Sequence, residues 1–248
     1  MQYAPYFRVV EGSDAAVLMI HGIAGTPAHF RFLLPEIPEN WSIYNILLPG
    51  HGKGVREFSR ASMGQWKQQV SEQLDEILRC HSRVLIVAHS MGTLFAIQEA
   101  IRHEGKIGGL FLLNVPLNPM LPLSTARNSL KLALDVKAPG AAAEEMRAGC
   151  GIHLERNLVK YLGWVPRFLE LFREVRCVKK LLPQLDTPTW AYQSRKDELV
   201  AFRAVKHLEN HPSIRLRILQ HSGHFAYRED DPEFLRGELA QLLKQFEN

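Results

Sequence analysis

Cysteine is scarce in this sequence, and what there is lies apart. Cys80, Cys150 and Cys177 are odd in number and widely spaced, which excludes a disulfide framework and a cysteine-based metal site. Free thiols in a reducing, cytoplasmic setting are the expectation. Long apolar runs are missing too. No stretch approaches the ~20 residues of a membrane span. The opening residues, Met-Gln-Tyr-Ala-Pro-Tyr-Phe-Arg, hold no apolar core of a signal peptide. Nor does charge of one sign dominate. The formal balance is +4 and no Lys/Arg run exceeds two residues, so nucleic acid is excluded as the expected partner. There are no internal repeats and no low-complexity tracts.

What is present suits one globular domain. The chain has 248 residues, 46% of them hydrophobic, enough for a substantial core. It is organised around Val84-Leu85-Ile86-Val87-Ala88-His89-Ser90-Met91-Gly92. Apolar residues bounded by His81-Ser82-Arg83 predict a buried strand, and a helical pattern follows from Met91 to about Arg102. Between them stands small-x-Ser-x-Gly. A strand that turns directly into a helix strains the corner residue, and small neighbours let the two backbones approach. The result is a serine hydroxyl held clear of the sheet at the positive end of a helix. The plainer reading of Ser90 is a helix N-cap.

Upstream, Tyr6–Val10 and Ala15–Ile20 read as strands. The second ends in His21-Gly22-Ile23-Ala24-Gly25-Thr26-Pro27, where Thr26 caps a helix that starts at Pro27. That loop either aims a backbone N–H at a site or is an ordinary glycine-rich turn. Ile43–Leu48 predicts the next strand. The Pro49-Gly50-His51-Gly52-Lys53-Gly54 segment after it is not a phosphate loop, since no Gly-Lys-Ser/Thr occurs and no helix follows at once. His51 reads as a structural loop residue. Ser62 caps a helix to about Cys80, with Trp66, Val70, Leu74, Ile77 and Leu78 on its apolar stripe.

Gly109–Leu113 is another apolar strand. From Pro116 to Leu182 helical periodicity dominates, broken by Pro and Gly, and the segment is too long for a loop. It predicts three or four short helices forming a cap over residues 116–182, with residues 1–115 and 183–248 as the core. Its eleven Lys/Arg against six Asp/Glu either rim an entrance or cover a solvated surface. Leu130, Leu134, Tyr161, Leu162, Trp164, Phe168, Leu169 and Phe172 are expected to line an apolar pocket. Thr189–Gln193 and Ser213–Leu219 read as strands, with a helix at about Ala201–Glu209 between them. Asp231-Pro232 opens the last helix, which buries Phe234, Leu235, Leu239, Leu242, Leu243 and Phe246.

Three residues then stand in post-strand loops in a telling order: Ser90, Asp197, His224. Serine, acid and histidine in that sequence, at the C-terminal ends of parallel strands, are the elements of an acyl-transfer site. Glu198 is an alternative acid and His221 an alternative base. His89 reads as structural.

The chain resembles the α/β-hydrolases, and among them the bacterial carboxylesterases and monoacylglycerol lipases. The resemblance rests on His21-Gly22-Ile23-Ala24-Gly25, Leu48-Pro49-Gly50-His51-Gly52, Ala88-His89-Ser90-Met91-Gly92, Lys196-Asp197-Glu198-Leu199-Val200 and Ser222-Gly223-His224. It implies an α/β fold, with a mostly parallel sheet flanked by helices and an inserted cap. It implies a small acyl ester substrate, Ser90, Asp197 and His224 as catalytic residues, and backbone N–H groups of Ile23 and Met91 as the oxyanion hole. No metal and no cofactor are implied. Three departures stand out: Ala88 replaces the usual first glycine, Ile23 stands where an aromatic is common, and few residues precede Ala15. A thioesterase or carbon–carbon bond hydrolase of the same fold is the second reading, and a non-enzymatic receptor the third.

Overall fold

The computed structural model describes residues 3–120, 149–155 and 157–246. Seven strands form one sheet. They are β1 (Tyr6–Arg8), β2 (Ala15–Ile20), β3 (Ser42–Asn45), β4 (Arg83–His89), β5 (Gly109–Leu113), β6 (Thr189–Ser194) and β7 (Ile214–Leu219), in spatial order β1-β3-β2-β4-β5-β6-β7. Only β1 runs antiparallel, against β3; every other pair is parallel. So the antiparallel edge is present despite the few residues before Ala15, reduced to three residues.

Side chains alternate across the pleat, and the core therefore divides into two layers. Ala16, Leu18 and Ile20 of β2 with Val84, Ile86 and Ala88 of β4 face α2 (Met63–Cys80), α3 (Met91–Arg102) and α4 (Trp164–Leu181). Ala15, Val17 and Met19 with Leu85 and Val87 face α5 (Asp231–Gln245) and Trp41. Both faces of the central strands are covered, which is why their sequences are continuously apolar. The short helix α1 (Val55–Arg60) precedes α2.

Most predicted elements are found, with local differences. Ser62 Oγ accepts from Gln65 N at 3.2 Å and caps α2. Trp66, Val70, Leu74 and Ile77 are buried, with Met63 beside them, while Leu78 is only partly covered. The segment at Ala201–Glu209 is a 3-10 turn, Phe202–His207. Phe234 of α5 is 40% exposed rather than buried. Strand β5 lies beside β4, and β6 beside β5.

Of the predicted cap, a 3-10 turn at Leu158–Gly163 and α4 are seen. Leu130 and Leu134 lie outside the described residues. Arg167, Leu171, Val175 and Val178 form the buried face of α4. Tyr161, Trp164 and Phe168 pack against the main core, and the Trp164 ring lies 4.8 Å from Phe58. Leu162 and Leu169 do not join them; they are 68% and 52% exposed. At 3.6 residues per turn Leu169 projects roughly 160° from Leu171, so one helix face cannot bury both. Among the described residues no helix is long and apolar enough to cross a membrane.

Candidate active site

Ser90 occupies the corner between β4 and α3 with φ 52 and ψ −123. This is strained backbone for a non-glycine residue, of the kind that persists only where its surroundings enforce it. Two sets of contacts do so. Ser90 N donates to Leu113 O of the neighbouring strand at 2.9 Å, and Thr93 N and Oγ1 both donate to Ser90 O, at 2.9 and 2.6 Å. Close packing demands small residues on either side. A Cβ on Gly92 would lie 2.2 Å from Ile20 O, and one on Gly22 would lie 2.8 Å from Ser90 Cβ. Ala88, fully buried, is accommodated.

The structure brings Ser90, His224 and Asp197 together. Ser90 Oγ lies 2.9 Å from His224 Nε2, and His224 Nδ1 donates to Asp197 Oδ2 at 2.8 Å. The loop after β6 presents Asp197, whose other oxygen accepts from Leu199 N and Val200 N at 2.8 and 2.7 Å. Glu198 does something different. Its Oε2 accepts from the backbone N–H of His224 at 3.0 Å, so it holds the main chain while Asp197 holds the ring. His221 is turned away, with Nδ1 2.9 Å from Glu229.

Burial alone would lower the pKa of His224. The Asp197 charge and hydrogen bond, with the Glu198 charge, outweigh it and raise His224 above its ordinary value of 6.5. A serine hydroxyl bonded to an imidazole whose far nitrogen is held by a carboxylate can give up its proton as it attacks a carbonyl.

The loop after β2 lies against this corner. Two histidines lace it to the loop after β3. Leu48 N donates to His21 Nε2 at 3.1 Å, and Ala24 N donates to His51 Nε2 at 3.1 Å. The opposite nitrogens donate to carbonyls: His21 Nδ1 to Gly22 O at 2.9 Å and His51 Nδ1 to Leu48 O at 3.2 Å. Both rings are buried and must be neutral to accept. Burial pushes His21 down to about 4 and His51 well below 6.5. Ala24 takes φ 52 in this loop, between Ile23 and the turn closed by Gly25 N and Gly22 O at 3.0 Å. Chain returning from the cap region completes the arrangement. Gly151 N donates to Ala24 O at 2.6 Å, and Gly52 N donates to Gly151 O at 2.7 Å. Met91, the other expected donor, opens α3, where a backbone N–H has no intrahelical acceptor.

Asn114 and His29 escape a reading of the sequence, and His89, read there as a structural residue, lies with them. Asn114, with φ 54, donates to His224 O at 3.0 Å and accepts from Ser194 N at 2.9 Å. It thus joins the ends of β5 and β6 to the histidine loop. His89 Nε2 donates to the same His224 carbonyl at 2.9 Å. His29 lies with its ring 3.9 Å from that of His89 and its Nε2 3.2 Å from the Tyr227 hydroxyl. A lone Asn after a strand, or a His in a turn, carries no pattern to flag it. Among the described residues no group of three or more His, Cys, Asp or Glu is placed to hold a metal ion.

The family model for the alpha/beta hydrolase family matches residues 17–238. The chain belongs to the alpha/beta hydrolase family. Its sheet order and flanking helices are those of an α/β hydrolase. A putative carbamate hydrolase, RutD of Stutzerimonas stutzeri, is 24% identical, and the match covers 94% of this chain and 93% of that protein. A structure of the metagenome-derived lipolytic enzymes LipS and LipT superimposes with a TM-score of 0.75 at 21% identity, over 98% of both chains. The monoacylglycerol lipase of Paleococcus ferrophilus gives 0.69 at 16% identity, over 99% of this chain and 100% of that one. At such identities the structural likeness speaks for the fold of this α/β hydrolase.

Proposed function

We propose that the protein is a serine hydrolase that cleaves carboxylic esters, with a short- or medium-chain acyl ester or a monoglyceride as substrate. The observation that carries this reading is the unbroken relay from Ser90 Oγ through His224 to Asp197, at 2.9 and 2.8 Å. Ser90 attacks the ester carbonyl while His224 accepts its proton and returns it to the leaving alcohol. Asp197 fixes the imidazole tautomer and stabilises the imidazolium. Backbone N–H groups of Ile23 and Met91 receive the developing oxyanion, each worth about 3 kcal/mol of transition-state stabilisation. Water, deprotonated by His224, then clears the acyl-enzyme. The names of the similar proteins (carbamate hydrolase, lipolytic enzyme, monoacylglycerol lipase) support a carbonyl centre attacked by a nucleophile. Residues 116–182 act as the cap, with Tyr161, Trp164 and Phe168 on its inner side.

A fluorophosphonate probe tests the reading. It should add one adduct, on the peptide containing Ser90, and Ser90→Ala should abolish labelling in a protein that stays folded. A panel of p-nitrophenyl esters, acyl-CoA thioesters and vinylogous diketones should show turnover of the esters first. An adduct on Ser194 or Ser222, or turnover of diketones alone, would overturn it.

A further inference from the structure

A cavity of about 420 Å³ opens between α4, the segment Leu117–Pro119 and the turn that carries Arg203. Ser90, Asp197 and His224 do not line it. Four cations do, Arg173, Arg176, Lys179 and Arg203, and among the described residues no carboxylate does. Among the described residues, no ion pair joins any of the four to an acid. The acids of α4 are engaged on another side. Glu170 pairs with Arg167 at 2.8 Å and accepts from Met63 N at 3.0 Å, and Glu174 pairs with Lys67 at 2.8 Å. The helix thus holds Glu170 and Glu174 toward α2 and presents Arg173, Arg176 and Lys179 to the cavity.

The cationic wall is partly fixed in place. Lys179 Nζ donates to the neutral Asn118 Oδ1 at 2.9 Å. Burial, and then the Arg203 charge, push the Lys179 ammonium below its ordinary range, so like charges are gathered there against their mutual repulsion. The floor is apolar, with Leu117 and Val175 buried, and low surrounding polarity strengthens any charge contact made above it. Guanidinium forks and an ammonium around one hollow suit an anion with several acceptor oxygens and more than one charge, which a phosphate has and a single carboxylate lacks.

We propose that this cavity is a binding site for an organic phosphate, held by Arg173, Arg176, Lys179 and Arg203. The site goes beyond the esterase reading and does not rest on it. It adjoins the loop that bears Asp197, because Ala201 N donates to Asn118 O at 2.9 Å and Met120 N to Leu199 O at 2.7 Å.

Isothermal titration of the whole protein with glycerol 3-phosphate, and separately with inorganic pyrophosphate, tests the site. Saturable binding to one site should weaken steadily from about 20 to about 200 mM NaCl as the charges are screened. Arg176→Glu and Arg203→Glu should each weaken it by about tenfold or more, and Arg176→Gln by less, since only an interacting charge is lost. Lys106→Glu, on a turn that does not line the cavity, should leave it unchanged. These side chains are exposed, and circular dichroism of each variant checks that it folds. Absence of heat at millimolar probe, equal loss in Lys106→Glu, or equal affinity for succinate would each overturn the proposal. So would binding to vesicles of anionic phospholipid without binding to the soluble phosphates.

Discussion

Ala24 gives its backbone N–H to Nε2 of His51 across 3.1 Å. The bond joins two loops that belong to different strands, and it fixes the peptide next to Ile23 while leaving the Ile23 N–H uncommitted to it. His51 can accept only because it is neutral, with its Nδ1 proton directed at Leu48 O.

Replacing His51 by Ala should therefore lower kcat by about 10- to 100-fold, since the proposed oxyanion donor, Ile23 N–H, worth about 3 kcal/mol, would be misaimed rather than removed. KM should change far less. Gln at this position keeps an acceptor and should recover part of the loss. Steady-state kinetics beside melting curves check this; a fall in Tm with kcat intact would make the bond merely structural.

The two neighbouring acids should separate cleanly. Asp197→Asn disturbs the imidazole tautomer and should cost about three to four orders of magnitude in kcat. Glu198→Gln keeps an oxygen that can accept from His224 N, so its cost should stay within about tenfold, the equivalent of one hydrogen bond. The opposite ranking in a p-nitrophenyl ester assay would give Glu198 the role proposed for Asp197.

The pH profile follows from the sign of the His224 shift. Its pKa is raised above 6.5 despite burial, through Asp197 and then Glu198. Protonated His224 cannot accept the Ser90 proton. The ratio kcat/KM should accordingly plateau at high pH and fall as pH drops through a midpoint above 6.5. In Asp197→Asn the residual activity should have its midpoint at lower pH, because the charge that raises it is gone. A midpoint that does not move would detach the acid limb from this pair.

Stability should depend on pH in the opposite range. His21, His51 and His89 are buried and depressed, chiefly by burial, His21 to about 4. An unfolded chain protonates these residues near their ordinary 6.5, whereas the folded chain resists. Their neutral packing is fully compatible with folding above that value. Stability should decline as pH falls from about 6.5 toward about 4, where the unfolded state binds more protons. Urea unfolding at several pH values measures it, and His51→Gln should flatten the slope.

Much of the sheet was legible because its strands are buried on both faces and read as unbroken apolar runs. The Ser90 corner was legible because close packing at Gly22 and Gly92 demands glycine, and glycine shows in a sequence. The relay was readable only as an order of three residues; the resemblance favoured Asp197 over Glu198, and Asp197 is the carboxylate that reaches the ring while Glu198 bonds the main chain. Asn114 and His29 were invisible, since their partners lie far away in the chain and the residue types are ordinary in loops. Leu169 misled because apolar character marked it for burial, while helical geometry had already assigned the inner face to Leu171, Val175 and Val178.

Gly151 occupies the gap between Ala24 O and Gly52 N, and a Cβ there would lie 2.1 Å from Gly25 O. This wedge comes from sequence more than a hundred residues downstream of the loop it clamps. A chain made only through β5 holds the Ser90 corner with the Ala24 carbonyl still unclamped. The loop gains its clamp only once Gly151 has been made, and Ser90 its imidazole partner only once His224 has. On the proposed assignment, a chain cut anywhere between the two would carry Ser90 without the group that activates it.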